Sequence, residues 1–119
     1  MTGNAFEVIG GKKLKGTLVP QGAKNEALQI LCAVLLTPEK MTINNVPDIV
    51  DVRRLIELLK GLNVKVTRNS KESYTFQADE VDIEFLSSPS FKKNASKIRG
   101  SVMLVGPLLA RYKKAYIPK

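Results

Sequence analysis

The chain has 119 residues, 44% hydrophobic and 25% charged, with 19 basic against 11 acidic side chains and a formal charge of +8. That length and apolar content suit one domain with a real core and exclude a disordered chain; no apolar run reaches the ~18–20 residues of a membrane helix, and the opening MTGNAFEVIGG lacks the order of a signal peptide, so a cytoplasmic protein is expected. With no His and one Cys, Cys32, a disulfide framework, a Cys/His zinc site, a Ser-His-Asp triad and a Cys-His dyad are excluded, which leaves Lys, Tyr, Asp and Glu for proton transfer.

In chain order, Phe6-Glu7-Val8-Ile9, closed by Gly10-Gly11, and Lys13 to Val19, closed by Pro20, read as the two strands of a hairpin. After Pro20-Gln21-Gly22 the stretch AKNEALQILCAVLL reads as a helix ending near Thr37-Pro38. Only Gln29 is clearly polar from Ala27 onward, so this helix is expected to be buried on all sides, with Cys32 a small core residue. Met41 to Asn44 reads as a strand, Asn45-Val46-Pro47-Asp48 as a turn, and IVDVRRLIELLKGL as an amphipathic helix. Its apolar stripe is Ile49, Val52, Ile56 and Leu59, widened by Leu55, Leu58 and Leu62, with Arg53, Arg54, Glu57 and Lys60 pointing away. Asp48 and Asp51 suit its N-terminal dipole, and Gly61 or Asn63 can stop it. Val64 to Arg68 and Tyr74 to Gln77 read as a second hairpin around Asn69-Ser70-Lys71.

At Val81-Asp82-Ile83 a strand is expected to start the same order again, followed by a long helix from about Phe91 to Tyr112. Ile98, Val102, Val105 and Leu109 share one of its faces, Gly106-Pro107 should kink or split it, and Ala115-Tyr116-Ile117 begins a further strand. Repeated units need neighbours to bury their faces, so a unit that stops halfway predicts the N-terminal piece of a larger protein. The divisions are 1–20, the hairpin; 21–79, a first unit; and 80–119, an incomplete second. Uncovered strand edges and apolar helix surface then predict self-association.

Residues 1–60 carry 8 basic and 6 acidic side chains, residues 61–119 carry 11 and 5, and no acid follows Glu84. That end calls for an anion: nucleic acid, a phosphorylated small molecule, or acids in the rest of a longer chain. The aromatics that single-strand readers stack on bases are sparse, 6% with no Trp. Gly22-Ala23-Lys24-Asn25, directly before the apolar helix, offers free N–H groups, an ammonium and an amide to a phosphate or carboxylate; the plain alternative is a solvated Lys24 and a capping Asn25. Lys97-Ile98-Arg99-Gly100-Ser101 holds the corresponding place in the second unit, where Arg99 suits bidentate phosphate contact or a surface salt bridge. Arg111-Tyr112-Lys113-Lys114 extends the basic surface or complements a helix C-terminus. Neither Gly-x-x-x-x-Gly-Lys-Ser/Thr nor Gly-x-Gly-x-x-Gly occurs, so ordinary nucleoside triphosphate and dinucleotide sites are not supported.

Gly22-Ala23-Lys24-Asn25, Asn45-Val46-Pro47, and the stretch Ile98-Arg99-Gly100-Ser101 through Gly106-Pro107-Leu108-Leu109-Ala110-Arg111 together closely resemble the beginning of the UDP-N-acetylglucosamine enolpyruvyl transferase (1-carboxyvinyltransferase) family. The resemblance runs from about Phe6 to the end. The sister family that acts on shikimate phosphate has Lys-Ser where this chain has Lys24-Asn25. The resemblance implies an α/β fold, part of an inside-out α/β barrel built from βαβαββ units, and enolpyruvyl transfer from phosphoenolpyruvate to the 3-hydroxyl of UDP-N-acetylglucosamine in peptidoglycan synthesis, with no cofactor or metal and no nucleic-acid or membrane partner. By position, Lys24 resembles the lysine that contacts phosphoenolpyruvate and stabilises charge, Asn25 the asparagine beside it, and Arg99 the arginine that contacts the UDP-sugar. The family's general acid, a Cys or Asp on a Gly-rich loop, would follow Lys119, and Cys32 does not match it. The chain alone is therefore expected to be inactive, its partner being the remainder of the enzyme. A small basic nucleic-acid-binding module is the alternative from another class.

Overall fold

The computed structural model describes residues 3–117. Residues 3–23 carry no helix or strand, and the chain then folds as α1 (Lys24–Ala33), β1 (Lys40–Ile43), α2 (Val50–Gly61), β2 (Lys65–Ser70), β3 (Ser73–Gln77), α3 (Pro89–Ala95) and α4 (Val105–Tyr112). Short 3-10 turns at Val34–Leu36, Ile83–Ser87 and Arg99–Leu104 join the helical parts. The strands form one antiparallel sheet in the order β1-β3-β2. Met41, Phe76 and Val66 stand in one register row that faces the helices, while Thr42, Thr75 and Thr67 form the solvent row, where the Thr42 and Thr75 hydroxyls lie 2.9 Å apart. Leu31 and Leu35 from the α1 side, Leu55 and Leu59 of α2, Phe76, Leu104 and Leu108 are fully buried in one core. Each such leucine is worth roughly 1.5–3 kcal/mol of transfer free energy.

The amphipathic reading of α2 holds residue by residue, and the stop is made by Asn63 rather than Gly61. Asn63 takes a left-handed φ of 68°, its N–H donates to Lys60 O at 2.9 Å, and Val64 N–H donates to Leu59 O at 3.0 Å, the paired bonds of a Schellman ending. Gly61 serves packing instead, since a Cβ there would sit 2.5 Å from the Phe85 ring.

Five expectations are corrected. The hairpin over 6–19 is not formed: Phe6 is 99% and Leu14 96% exposed, and nothing among the described residues packs on that stretch, without which a lone hairpin is marginal in water. The first helix is buried on one side only, because α2, α4 and the 3-10 turn Arg99–Leu104 pack on the side of Leu28, Leu31, Cys32 and Leu35 while Ile30 and Leu36 stay exposed. No strand forms at Val81–Ile83, where Asp82 N–H is drawn to Leu62 O at 2.8 Å and the chain coils into a 3-10 turn, nor at 115–117.

The long helix is three pieces, and the break is not at Gly106-Pro107. Ser88 caps α3 by accepting the Phe91 N–H at 3.1 Å, with Pro89 at the first helical position. The helix ends at Ala95 because the buried Ser101 hydroxyl donates to Ala95 O at 2.8 Å and Ile98 turns extended. Pro107 then falls in the first turn of α4, where its missing N–H is not needed. The shifted phase buries Leu104 and Leu108 and leaves Val102 and Leu109 half-exposed, against the expected stripe.

Candidate functional site

The residues singled out in the sequence gather around α1. Gly22 lies so close to the backbone oxygen of Asn45 that no Cβ fits, and Pro47 closes on the same spot, so the Gly22-Ala23-Lys24-Asn25 and Asn45-Val46-Pro47 segments are in direct contact. Asn45 makes this turn at a φ of 58°, and Val46 N–H is held by Glu72 O at 2.9 Å, which ties the turn to the β2–β3 hairpin. Beside the contact is a cavity of about 100 Å3 whose lining includes Gly22, Ala23, Glu26, Asn44 and Asn45.

Helix α1 begins at Lys24 with Ala23 as its cap residue, and no side chain among the described residues caps its first N–H groups. Those donors, with the positive end of the helix dipole, make this end attractive to an anion. Asn25 is exposed inside the first turn and is not the cap. Lys24 is not a lone solvated lysine: its Nζ lies 2.7 Å from Oδ2 of Asp51 in the first turn of α2. The hydrogen bond from Lys24, then the charges of Lys24 and Arg54, hold the Asp51 carboxyl below the usual carboxylate range.

Gly100 packs on Leu28 of α1, with 3.0 Å from its would-be Cβ to Leu28 Cδ1. Leu28 is one turn after Lys24 on the same helix face, so the 3-10 turn carrying Arg99 is seated along the face that begins at Lys24. Arg99 is exposed and makes no ion pair among the described residues. A larger cavity, about 480 Å3, is lined by Val50, Arg53, Arg54, Glu57, Asn94 and Lys97, and brings cations of α2 and of the chain before Arg99 to one surface.

Part of the basic excess is used inside the fold. Arg111 donates to Leu35 O at 3.0 Å and stacks over Tyr112, and Lys92 lies over the Tyr116 ring. Cys32 is buried and desolvation pushes its thiol up to about 12, which leaves it inert as an acid or nucleophile. Asp51 is the functional candidate that sequence reasoning assigned only to a helix dipole; its pairing with Lys24 crosses between helices and leaves no periodic signal.

Compared with known proteins, residues 8–118 match the family described as EPSP synthase (3-phosphoshikimate 1-carboxyvinyltransferase). The chain is similar to UDP-N-acetylglucosamine 1-carboxyvinyltransferase of Bacteroides fragilis, 51% identical over 97% of this chain and 26% of the relative. It is likewise similar to the proteins of that name from Bacteroides thetaiotaomicron, 50% identical, and Porphyromonas gingivalis, 46% identical, with the same coverage. The chain thus spans about a quarter of the length of the curated relatives it matches. Among solved structures it is similar to the enolpyruvyl transferase NikO from Streptomyces tendae, with a TM-score of 0.68 and 24% identity, covering 87% of this chain and 23% of that one. The α/β arrangement is therefore part of the enolpyruvyl transferase fold.

Proposed function

The chain belongs to the EPSP synthase family, and from that membership we propose that it contributes to a UDP-N-acetylglucosamine 1-carboxyvinyltransferase, transferring the enolpyruvyl group of phosphoenolpyruvate to the sugar 3-hydroxyl. The observation that carries this reading is the 51% identity with the Bacteroides fragilis enzyme over 97% of the chain. In the reaction the hydroxyl gives up its proton as its oxygen adds to the enol carbon that carries the phosphate, the methylene carbon is protonated to a methyl, and that methyl then loses a proton as inorganic phosphate leaves, which restores the double bond. Such chemistry needs fixed cations near the phosphate and one acid for the carbon. Lys24 and the open N–H groups of α1 are the cationic end, Asn25 lies beside them, and Arg99 meets the UDP-sugar. The acid belongs to chain beyond these residues, so the 119 residues alone bind in part and do not turn over. The setting is the cytoplasm and peptidoglycan synthesis, hence cell shape and division.

The test is phosphate release by the complete gene product that carries these residues. Release is expected with phosphoenolpyruvate plus UDP-N-acetylglucosamine and not with phosphoenolpyruvate plus shikimate 3-phosphate. The reverse pattern would move the protein to the sister activity. Steeply salt-dependent oligonucleotide binding without either reaction would favour a nucleic-acid role.

A further inference from the structure

The Lys24–Asp51 pair is unequal in what each partner needs. The Lys24 ammonium stands at the N-terminal end of α1, where the helix dipole and unpartnered N–H groups disfavour a cation. Asp51 stands in the first turn of α2, where the dipole favours a carboxylate, and the charge of Arg54 acts on it as well. Asp51 is thus a comfortable anion with or without Lys24, whereas Lys24 keeps its place through Asp51. As a fold staple the pair is weak: the side chains are 51% and 34% exposed, and exposed ion pairs stabilise little. The packing of α1 on α2 is already made by buried leucines such as Leu31 and Leu55.

We infer that Asp51 is a positioning residue for Lys24 in the transfer reaction. Its carboxylate takes one of the three ammonium N–H groups and leaves two for the anionic oxygens of phosphoenolpyruvate. When the substrate shares the lysine charge, the α2 dipole and Arg54 still hold Asp51, so the ammonium meets the substrate from a fixed point and not from the sweep of a four-carbon tether. The inference rests on the reading of Lys24 as an anion-site lysine.

The experiment compares Lys24→Ala, Asp51→Asn and Asp51→Glu in the complete gene product, reading kcat, the KM of each substrate and the melting temperature. For Asp51→Asn the expected result is a melt within about 2 °C of the parent, an unchanged KM for UDP-N-acetylglucosamine, and kcat lowered roughly 10–100-fold. Asp51→Glu, which keeps the charge but moves it, is expected between parent and Asn variant. Parent-like turnover in Lys24→Ala would defeat the underlying reading and the inference with it. A crippled Lys24→Ala beside a parent-like Asp51→Asn would defeat the inference alone, as would tighter phosphoenolpyruvate binding with faster turnover, the mark of a competing counter-ion. If Asp51→Asn loses its cooperative melt, Asp51→Glu decides: a retained melt with kcat lowered at least threefold supports positioning, and parent-like kcat overturns it.

Discussion

Gly22 and Asn45 touch backbone to backbone, and the absence of a side chain on Gly22 is what allows it. Gly22→Ala would drive a Cβ into the Asn45 carbonyl, where no flexible side chain can yield. The expected cost is about 1–3 kcal/mol by chemical denaturation, together with weaker phosphoenolpyruvate binding, since the loop that sets Lys24 must back away. A neutral substitution would mean that this approach is not kept in solution.

Lys24→Ala separates fold from function. Losing an exposed ion pair is offset by removing a cation from a helix N-terminus and by the better helix propensity of Ala, so the melt should stay within about 2 °C. In the complete gene product kcat should fall on the order of 10²–10³, as loss of one preorganised charge contact does. Parent-like kinetics would remove Lys24 from the site.

Asn63 carries the left-handed ending of α2 and also donates from Nδ2 to Glu80 O at 2.8 Å. Asn63→Ala should destabilise by roughly 1–2 kcal/mol in urea titrations, and Asn63→Gly by less, because only Gly takes that φ without a Cβ penalty. Equal losses would place the cost in the amide bond to Glu80 and not in the backbone.

Three carboxyls are held below their usual range: Asp48 first by its bond from Arg53, Asp51 by that from Lys24, and Asp79 by that from Lys65. A depressed folded-state value adds stability above the ordinary carboxylate pKa, which is lost as pH falls through the lowered value. The melting temperature should therefore be level from pH 7 to about 5 and decline below about 4. A melt that improves on acidification would contradict these pairings.

Leu14 and Leu18 stand in the stretch before α1 with nothing over them, and Phe6 and Val8 likewise. The 119-residue chain should sediment as more than a monomer at micromolar concentration and release no phosphate from the two substrates. Replacing Leu14 and Leu18 with Lys should shift it toward monomer. A monodisperse parent chain would show that this apolar stretch is harmless.

What the sequence reveals of this fold is what the chain writes locally. The α2 stripe from Val52 to Leu62 and the β2–β3 hairpin are periodic, and they are found where periodicity puts them. The misreadings come from side chains that act at a distance or in competition. Ser101 reaching back to Ala95 O ends α3 more decisively than Gly106-Pro107 could, although Ser88-Pro89 was a visible start signal. The proposed site divides the same way: Lys24, Asn25 and Arg99 stand out by type and setting, whereas the link to Asp51 exists only once two helices have packed.

The bond from Arg111 to the Leu35 carbonyl spans 76 residues, and it sets an order of assembly. Other ties here close shorter loops, such as Asp82 to Leu62 or Val46 to Glu72, and shorter loops close earlier because less chain entropy opposes them. On a ribosome adding about 5–20 residues per second, the Leu35 carbonyl waits some 4–15 s for its guanidinium to be made. Through that interval the Leu35 carbonyl, in the 3-10 turn that follows α1, lacks this donor, and α4 is the piece that supplies it.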